Sequence, residues 1–350
     1  MNKKTVAIVG ASGYSGEELV GILLRHPDVE LAAITSRQYA GKLLGEVFPR
    51  YANYPIAKKL KFIDPQPEQI AKLSEVVFLA LPHGVAASYA APLLDSGAKV
   101  IDLSADFRLR SPDIYKEFYG TDHPAPELLK KAVYGLPEIY RDQIINASLI
   151  ASPGCYPTSI LIPLIPIVKN GLIDTDNIIV DSLSGVSGAG RKLEAGYLFC
   201  ECNESLRAYG FPKHRHLSEI EEQISFSAGS KVVIQFTPHL VPVNRGILTT
   251  IYLKPSDNNK NLNEFSAKME SVYKEYYSNA PFVRILKSLP DTKNITGTNV
   301  IEFGWKCDPR TGRVIIVSAV DNLVKGAGGQ AVQSMNILCG FNETDGLTLA

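Results

Sequence analysis

Two textures of apolar and polar positions succeed one another along the chain. Up to about residue 150, short continuous apolar runs at residues 5–9, 30–35, 76–81 and 100–104 alternate with polar-interrupted stretches such as 17–24, which has helical spacing. An unbroken β-branched run bounded by turn residues reads as a strand buried on both faces, and strands alternating with helices predict βαβ units and a parallel sheet. Beyond residue 155 the runs at 178–183, 231–236, 246–253 and 313–320 read as strands, with helices expected at 217–225 and 262–277. Several strands with few crossovers predict an α+β domain on a mixed, largely antiparallel sheet, whose exposed face suits subunit association. The fold class expected is therefore α/β, with residues 1–154 forming a Rossmann-type domain and 155–325 a second domain. Residues 326–350 return to the first as a C-terminal helix. The aromatic, turn-rich stretch 115–123 reads as a lid or surface excursion, and 255–263 as a polar loop.

Composition narrows the class without changing this picture. A chain of 350 residues, 45% of them hydrophobic, can bury a sizeable core. With 36 basic and 36 acidic residues, it offers no bulk electrostatic case for nucleic acid or an anionic membrane surface. The start Met1-Asn2-Lys3-Lys4 is basic, but the apolar run after it is too short for a signal peptide, and no run is long enough to span a bilayer. A soluble, cytoplasmic protein is expected. Cys155, Cys200, Cys202, Cys307 and Cys339 are odd in number and irregular in spacing. The C-x-C pair has no second pair to complete a zinc pattern, so no metal is expected, and a reducing compartment is the simpler setting.

The candidate chemistry begins at the first turn. Gly10-Ala11-Ser12-Gly13-Tyr14-Ser15-Gly16 follows the first strand and opens a helix. Glycines there permit a tight turn and close approach of a pyrophosphate, whose charge meets the helix N-terminus. The spacing is GxxGxxG, so the signal comes from its place in a βαβ unit as much as from the glycines. The second strand ends at Ser36-Arg37, where an acidic residue would mark NAD. A hydroxyl and a guanidinium suit the 2′-phosphate of NADP instead. Pro82-His83 ends the next apolar run and is expected to line the cofactor, and Ser184 to Arg191 is a small-residue loop whose Ser187 and Gly188 could cradle phosphate oxygens. Asn322 and Gly326, in the turn before the last helix, are expected beside the nicotinamide.

Cys155 lies in Ser152-Pro153-Gly154-Cys155-Tyr156-Pro157-Thr158, on a turn running into what reads as a helix start. That location favours a thiolate. Lys213-His214-Arg215-His216 supplies two candidate acid–base groups beside two cations. Arg108, with a fork that matches two oxygens, is expected on a substrate carboxylate, with Ser104, Ser152, Gly154, Arg191 and Lys213 as further substrate contacts. An NADP site, a cysteine nucleophile and a histidine together describe reduction of an activated acyl group through a thioester.

The glycine turn, Leu81-Pro82-His83-Gly84, Asp102 to Arg108, Pro153 to Thr158, Ser184 to Arg191 and Lys213 to His216 resemble the N-acetyl-γ-glutamyl-phosphate reductases, a family related to aspartate-semialdehyde dehydrogenase. The resemblance covers essentially the whole chain, and Pro-Gly-Cys-Tyr-Pro-Thr is its most specific motif. Ser152 stands where the family often has Asn, and a serine still donates a hydrogen bond. The resemblance implies NADPH-dependent reduction of N-acetyl-γ-glutamyl phosphate in arginine biosynthesis, with Cys155 as nucleophile and His214 or His216 as the acid–base group. It also implies a homodimer or homotetramer. A sister reductase acting on a carrier-linked aminoadipyl phosphate is the competing enzyme, and a non-catalytic NADP-sensing protein the competing class.

Overall fold

The computed structural model describes residues 3–256 and 261–349. Met1 and Asn2 of the basic start, residues 257–260 of the expected polar loop, and Ala350 lie outside the described residues. The chain divides into two compact units, Met1–Pro153 with Ala327–Leu347, and Gly154–Gly326 with Thr348–Ala350.

The first unit is built on seven strands: β1 (Lys4–Val9), β2 (Val29–Thr35), β3 (Phe62–Ile63), β4 (Val76–Leu79), β5 (Lys99–Asp102), β6 (Ala132–Tyr134) and β7 (Leu149–Ala151). Their order is β3-β2-β1-β4-β5-β7-β6, and every pairing is parallel. Each apolar run supplies both faces at period two. Val6, Ile8, Phe78, Ile101 and Ile150 pack with the helices Tyr14–Leu23 and Gly329–Cys339, whereas Ala7, Val9, Val77, Leu79 and Val100 pack with Ala86–Asp95. Burial on both sides explains why these strands show no polar alternation.

Residues 115–123 begin as the last turns of a helix and mix buried and exposed positions. Ser111 caps a helix Pro112–Tyr119 by accepting from Ile114 N, and Gly120 ends it at a φ of 78°. Tyr115 is fully buried, stacked on Tyr119 with centroids 4.6 Å apart and edge-on to the buried His123 at 4.7 Å. Its phenol donates to Asp106 Oδ1 at 3.1 Å. The aromatics that suggested an excursion are packing and hydrogen-bonding inward.

The second unit carries β8 (Ile179–Gly185), β9 (Arg207–Ala208), β10 (Gln235–Val241), β11 (Ile247–Leu253), β12 (Val283–Ile285), β13 (Ile301–Asp308) and β14 (Arg313–Val320). The order β12-β13-β14-β11-β8-β10-β9 is antiparallel except at β12/β13 and β8/β10. The helix Cys155–Lys169, buried along nearly its whole length, packs on β11 and β14. Residues 231–234 form no strand. Val232 N and Ile234 N donate instead to Ser225 Oγ and Glu221 Oε1 of the preceding helix, and the strand starts at Gln235. Pro238 inside β10 and Gly304 inside β13 obscured the true strands.

Candidate active site

The first unit presents a turn shaped for a phosphate. Gly10, at a φ of 86°, donates to Thr35 Oγ1 at 3.1 Å, and Ala11 N donates to Thr35 O at 3.0 Å. A Cβ on Gly10 would stand 2.4 Å from Ala80 O, and one on Gly16 would stand 2.5 Å from Gly10 O. Both positions therefore require glycine. Gly13 differs, because a Cβ there would meet only Gly10 O, at 3.8 Å, and otherwise open space. Gly13 is the N-cap of the helix Tyr14–Leu23 and supplies no side-chain cap. A helix N-terminus without a side-chain cap, behind a glycine turn, is the arrangement that receives an anion. Ser12 and Ser15 flank this opening half-buried, and Tyr14 is exposed.

At the end of β2, Ser36 is buried with its Oγ 3.0 Å from Ser12 Oγ, and Arg37 is exposed. Two hydroxyls and a guanidinium, with no carboxylate at that corner, fit the 2′-phosphate of NADP. Pro82 and His83 stand exposed after β4, with the His83 ring 5.5 Å from Tyr119.

The carboxyl end of β5 is a buried polar network. Asp102 accepts from Ser104 N at 2.9 Å and Ser104 Oγ at 2.7 Å. Asp106 accepts from Gly84 N at 2.6 Å and Ala87 N at 3.0 Å, holding the start of the helix Ala86–Asp95. Burial first, then the Asp106 charge, push the Asp102 carboxyl up to about 7, against the Ser104 hydrogen bonds. Arg108 donates through Nε to Ser152 O at 2.8 Å and through Nη2 to Leu103 O at 2.9 Å. These bonds fix its guanidinium plane. Ser152 Oγ is fully buried and has no hydrogen-bond partner among the described residues.

In the second unit Cys155 is itself the first residue of the helix Cys155–Lys169, three residues earlier than the expected start. Gly154 is the N-cap, and its amide donates to Glu219 Oε1 at 2.9 Å. Glu219, buried on the helix Arg215–Ala228, is three residues after His216, so one turn of that helix carries both. It was not among the expected site residues. Its signal was a carboxylate within the apolar spacing of Leu217, Ile220 and Ile224.

His214 and His216 differ in kind. His214 caps the helix Arg215–Ala228, its Nδ1 accepting from His216 N at 3.1 Å. Its ring sits edge-on to Tyr156, Tyr209 and Phe236, with centroids 5.4–5.7 Å away. Burial first, then the Arg215 charge, push it down to about 4. The ring is neutral at neutral pH, with its proton on Nε2. His216 is half-buried, 5.8 Å from the Tyr156 ring. The Tyr156 and Tyr209 hydroxyls are 2.9 Å apart. Burial pushes both phenols up, and the Cys155 charge adds to it.

Gly326 packs on the nucleophile, since a Cβ there would stand 2.8 Å from Cys155 Cβ. Asn322 donates to Ser187 Oγ at 2.9 Å and accepts from Gly246 N at 2.8 Å, and a Cβ on Gly188 would lie 3.7 Å from its Nδ2. Asn322 thus anchors the small-residue loop. Arg191 and Lys213 are exposed. Among the described residues, no cluster of three or more His, Cys, Asp or Glu could hold a metal ion, and no helix is long and apolar enough to cross a membrane.

Comparison with known proteins adds two kinds of likeness. The family model for the semialdehyde dehydrogenase NAD binding domain matches residues 5–147, and that for the semialdehyde dehydrogenase dimerisation domain matches 155–322. An N-acetyl-gamma-glutamyl-phosphate reductase of Akkermansia muciniphila is 58% identical over 99% of this chain and 99% of its own length. One of Alkaliphilus metalliredigens is 49% identical over 97% of this chain and 96% of its own. Among solved structures, aspartate semialdehyde dehydrogenase II of Vibrio cholerae, complexed with ASA, superposes with a TM-score of 0.72 at 16% identity, covering 97% of this chain and 99% of that one. The Candida albicans aspartate semialdehyde dehydrogenase with NADP gives 0.72 at 16%, covering 96% and 98%. At such identities the structures speak for the fold.

Proposed function

The chain belongs to the N-acetyl-γ-glutamyl-phosphate reductase family, and from that premise we propose how its residues divide the labour. The activity is NADPH-dependent reduction of N-acetyl-γ-glutamyl phosphate to the semialdehyde, a step of arginine biosynthesis. Residues 1–154 with 326–350 hold the cofactor, and 155–325 carry catalysis and association. The turn from Gly10 to Gly16 takes the pyrophosphate, and Ser12, Ser36 and Arg37 the 2′-phosphate.

Cys155 is the nucleophile. Its Sγ attacks the γ-carbonyl carbon, the C–S bond forms as the C–O bond to phosphate breaks, and a thioester remains. His216 takes the thiol proton and returns it to the leaving phosphate oxygen. NADPH, held by the Gly10 to Gly16 turn with Ser36 and Arg37, would supply the hydride needed to reduce the thioester. His216, reprotonated from solvent after phosphate has left, protonates the oxygen of the reduced adduct and recovers the proton as the C–S bond breaks, releasing aldehyde and thiolate. His214, whose Nδ1 is already an acceptor for the His216 amide, positions the catalytic ring and exchanges no proton itself. Arg108, with Ser104 and Ser152, binds the substrate carboxylate, and Arg191 and Lys213 attract its phosphate.

The observation that carries this reading is the Glu219–Gly154 hydrogen bond, which ties the start of the Cys155 helix to the turn bearing His216. Running the reaction backwards tests it. N-acetylglutamate semialdehyde, phosphate and NADP⁺ give NADPH, the rate depends on phosphate, and Cys155→Ala abolishes it. A Cys155→Ala protein that keeps most of its rate overturns the covalent route. A cytoplasmic setting suits a catalytic thiol that must stay reduced.

A further inference from the structure

Between β2 and β3 the first unit carries an uneven share of the chain's charge. Six basic side chains (Arg37, Lys42, Arg50, Lys58, Lys59 and Lys61) and one acidic side chain, Glu46, lie between residues 37 and 63. That stretch therefore holds an excess of five positive charges in a chain of zero formal net charge, and the remainder holds the balancing negative excess. All six basic residues are exposed. Glu46 is turned onto its own backbone, accepting from Leu43 N at 2.7 Å. Arg50 pairs with Glu17 at 3.4 Å, whereas among the described residues Lys42, Lys58, Lys59 and Lys61 enter no ion pair.

The backbone brings this charge to the corner that suits the 2′-phosphate. β3 pairs with the end of β2, Ile34 beside Phe62 and Thr35 beside Ile63, and Ser36 N donates to Ile63 O at 3.2 Å. On the far side of β3, Gly41 N donates to Phe62 O at 2.8 Å and Phe62 N to Lys42 O at 2.9 Å. At ladder spacing, the backbones of Lys42 and Lys61 stand within about 10 Å of the end of β2, roughly one Debye length at physiological salt. Lys58 and Lys59 follow at the end of the turn Pro55–Lys58, which is closed by Leu60 N donating to Ile56 O at 2.8 Å. Phe48, Tyr51, Ala57 and Phe62 root the stretch in the core, so the lysines stand at fixed places without forming that core themselves.

We propose that this basic excursion steers NADP(H) to its site, and that it favours the phosphate-bearing cofactor over its 2′-hydroxyl counterpart before either is bound. Several like charges acting within a Debye length raise the association rate of an anion by about 10–10³-fold. The gain grows with the charge of the ligand, so NADPH, with a phosphate beyond the pyrophosphate, gains more than NADH. Steering needs charge and not a fixed hydrogen bond, which suits exposed lysines on flexible stems. Holding the cofactor once it has arrived falls to Ser12, Ser36 and Arg37. The negative excess elsewhere on the chain works against an extended polyanion and leaves a small one. This inference rests on the NADP assignment above, and its test separates the two.

Stopped-flow mixing of the full-length protein with NADPH, followed by cofactor fluorescence, gives kon and koff. Lys58→Glu/Lys61→Glu avoids Lys42, whose Nζ lies 5.7 Å over the Tyr39 ring. In about 0.01 M salt it is expected to lower kon for NADPH at least tenfold, with koff within about twofold of wild type and kcat at saturating cofactor unchanged. The kon for NADH is expected to fall less, and the difference from wild type to vanish in about 1 M salt, where the Debye length is about 3 Å. Lys58→Gln/Lys61→Gln is expected to show about half the effect on a logarithmic scale and Lys58→Arg/Lys61→Arg none, a scaling with charge that a structural role does not produce. Arg37→Gln tests the NADP assignment instead. It is expected to raise koff for NADPH and not for NADH, and equal values for both would refute that assignment while leaving the dependence of kon on charge intact. A wild-type kon that does not change with salt overturns the steering. So does a loss carried by koff, or an Arg variant that loses as much as the Glu variant. Should the Glu variant fail to fold, the Gln variant and the wild-type salt series decide.

Discussion

At the scale of the residue, two histidines two positions apart have been given different chemistry by one backbone amide. His214 accepts that amide on Nδ1 and is pushed down to about 4 by burial and Arg215. His214→Asn keeps an acceptor for the cap. It is expected to hold kcat within about tenfold, whereas His216→Asn loses about 10²–10⁴-fold and one limb of the kcat/KM pH profile. Equal losses in the two variants would refute the division. The pair itself was legible as a titratable cluster, but not the difference between its members. Histidine is an uncommon N-cap, so nothing in Lys213-His214-Arg215-His216 announced that the helix begins between the two rings. Glu219 escaped for a related reason: a carboxylate among Leu217, Ile220 and Ile224 shows its purpose only when Gly154 N is placed against it.

At the scale of the element, the Cys155 helix does what its sequence argues against. Pro163 and Pro166 lie inside it, and each removes the amide that the carbonyl four residues back would have received. Those carbonyls are Ser159 O and Ile162 O. Ser318 Oγ donates to the first at 2.6 Å, from β14, and the Tyr277 hydroxyl donates to the second. The helix thus runs on to Lys169 because hydroxyls from 159 and 115 residues away replace two backbone donors. Such partners cannot be seen in a local pattern, and the sequence alone showed a helix start only to within three residues. Ser318→Ala and Tyr277→Phe are each expected to cost about 1–3 kcal/mol in denaturant unfolding, the penalty of an unpaired buried carbonyl. A loss below a few tenths in both would mean that the carbonyls find other donors. The glycine turn was, by contrast, legible, because its constraint is local. Gly16→Ala places a Cβ 2.5 Å from a backbone oxygen. NADPH affinity, measured by titration, is expected to weaken at least tenfold, with the Cys155 alkylation rate unchanged.

At the scale of the whole molecule, the α/β class with one parallel and one mixed sheet followed from the two textures of apolar runs, since strands buried on both faces and strands buried on one leave different patterns. What no pattern shows is that the two units respond to pH in opposite senses. In the first, Asp102 is pushed up to about 7 from an unfolded value near 4. The folded unit holds the proton more tightly there, so its contribution is full below about pH 4 and is lost as pH rises through 7. In the second, His214 is pushed down to about 4 from an unfolded value near 6.5, so its contribution is full above 6.5 and is lost as pH falls to about 4. The single tryptophan, Trp305, lies in the second unit with its indole donating to Ser266 Oγ at 3.0 Å. Its fluorescence therefore reports that unit, while circular dichroism reports both. Between pH 5 and 7 the tryptophan transition is expected to move to higher temperature with rising pH, and His214→Asn to flatten that slope. Asp102→Asn is expected to leave the tryptophan slope unchanged and to remove a pH-dependent loss seen only by circular dichroism. If Asp102→Asn shifts the tryptophan slope as much as His214→Asn does, the two units do not titrate separately, and the opposed slopes describe one cooperative structure.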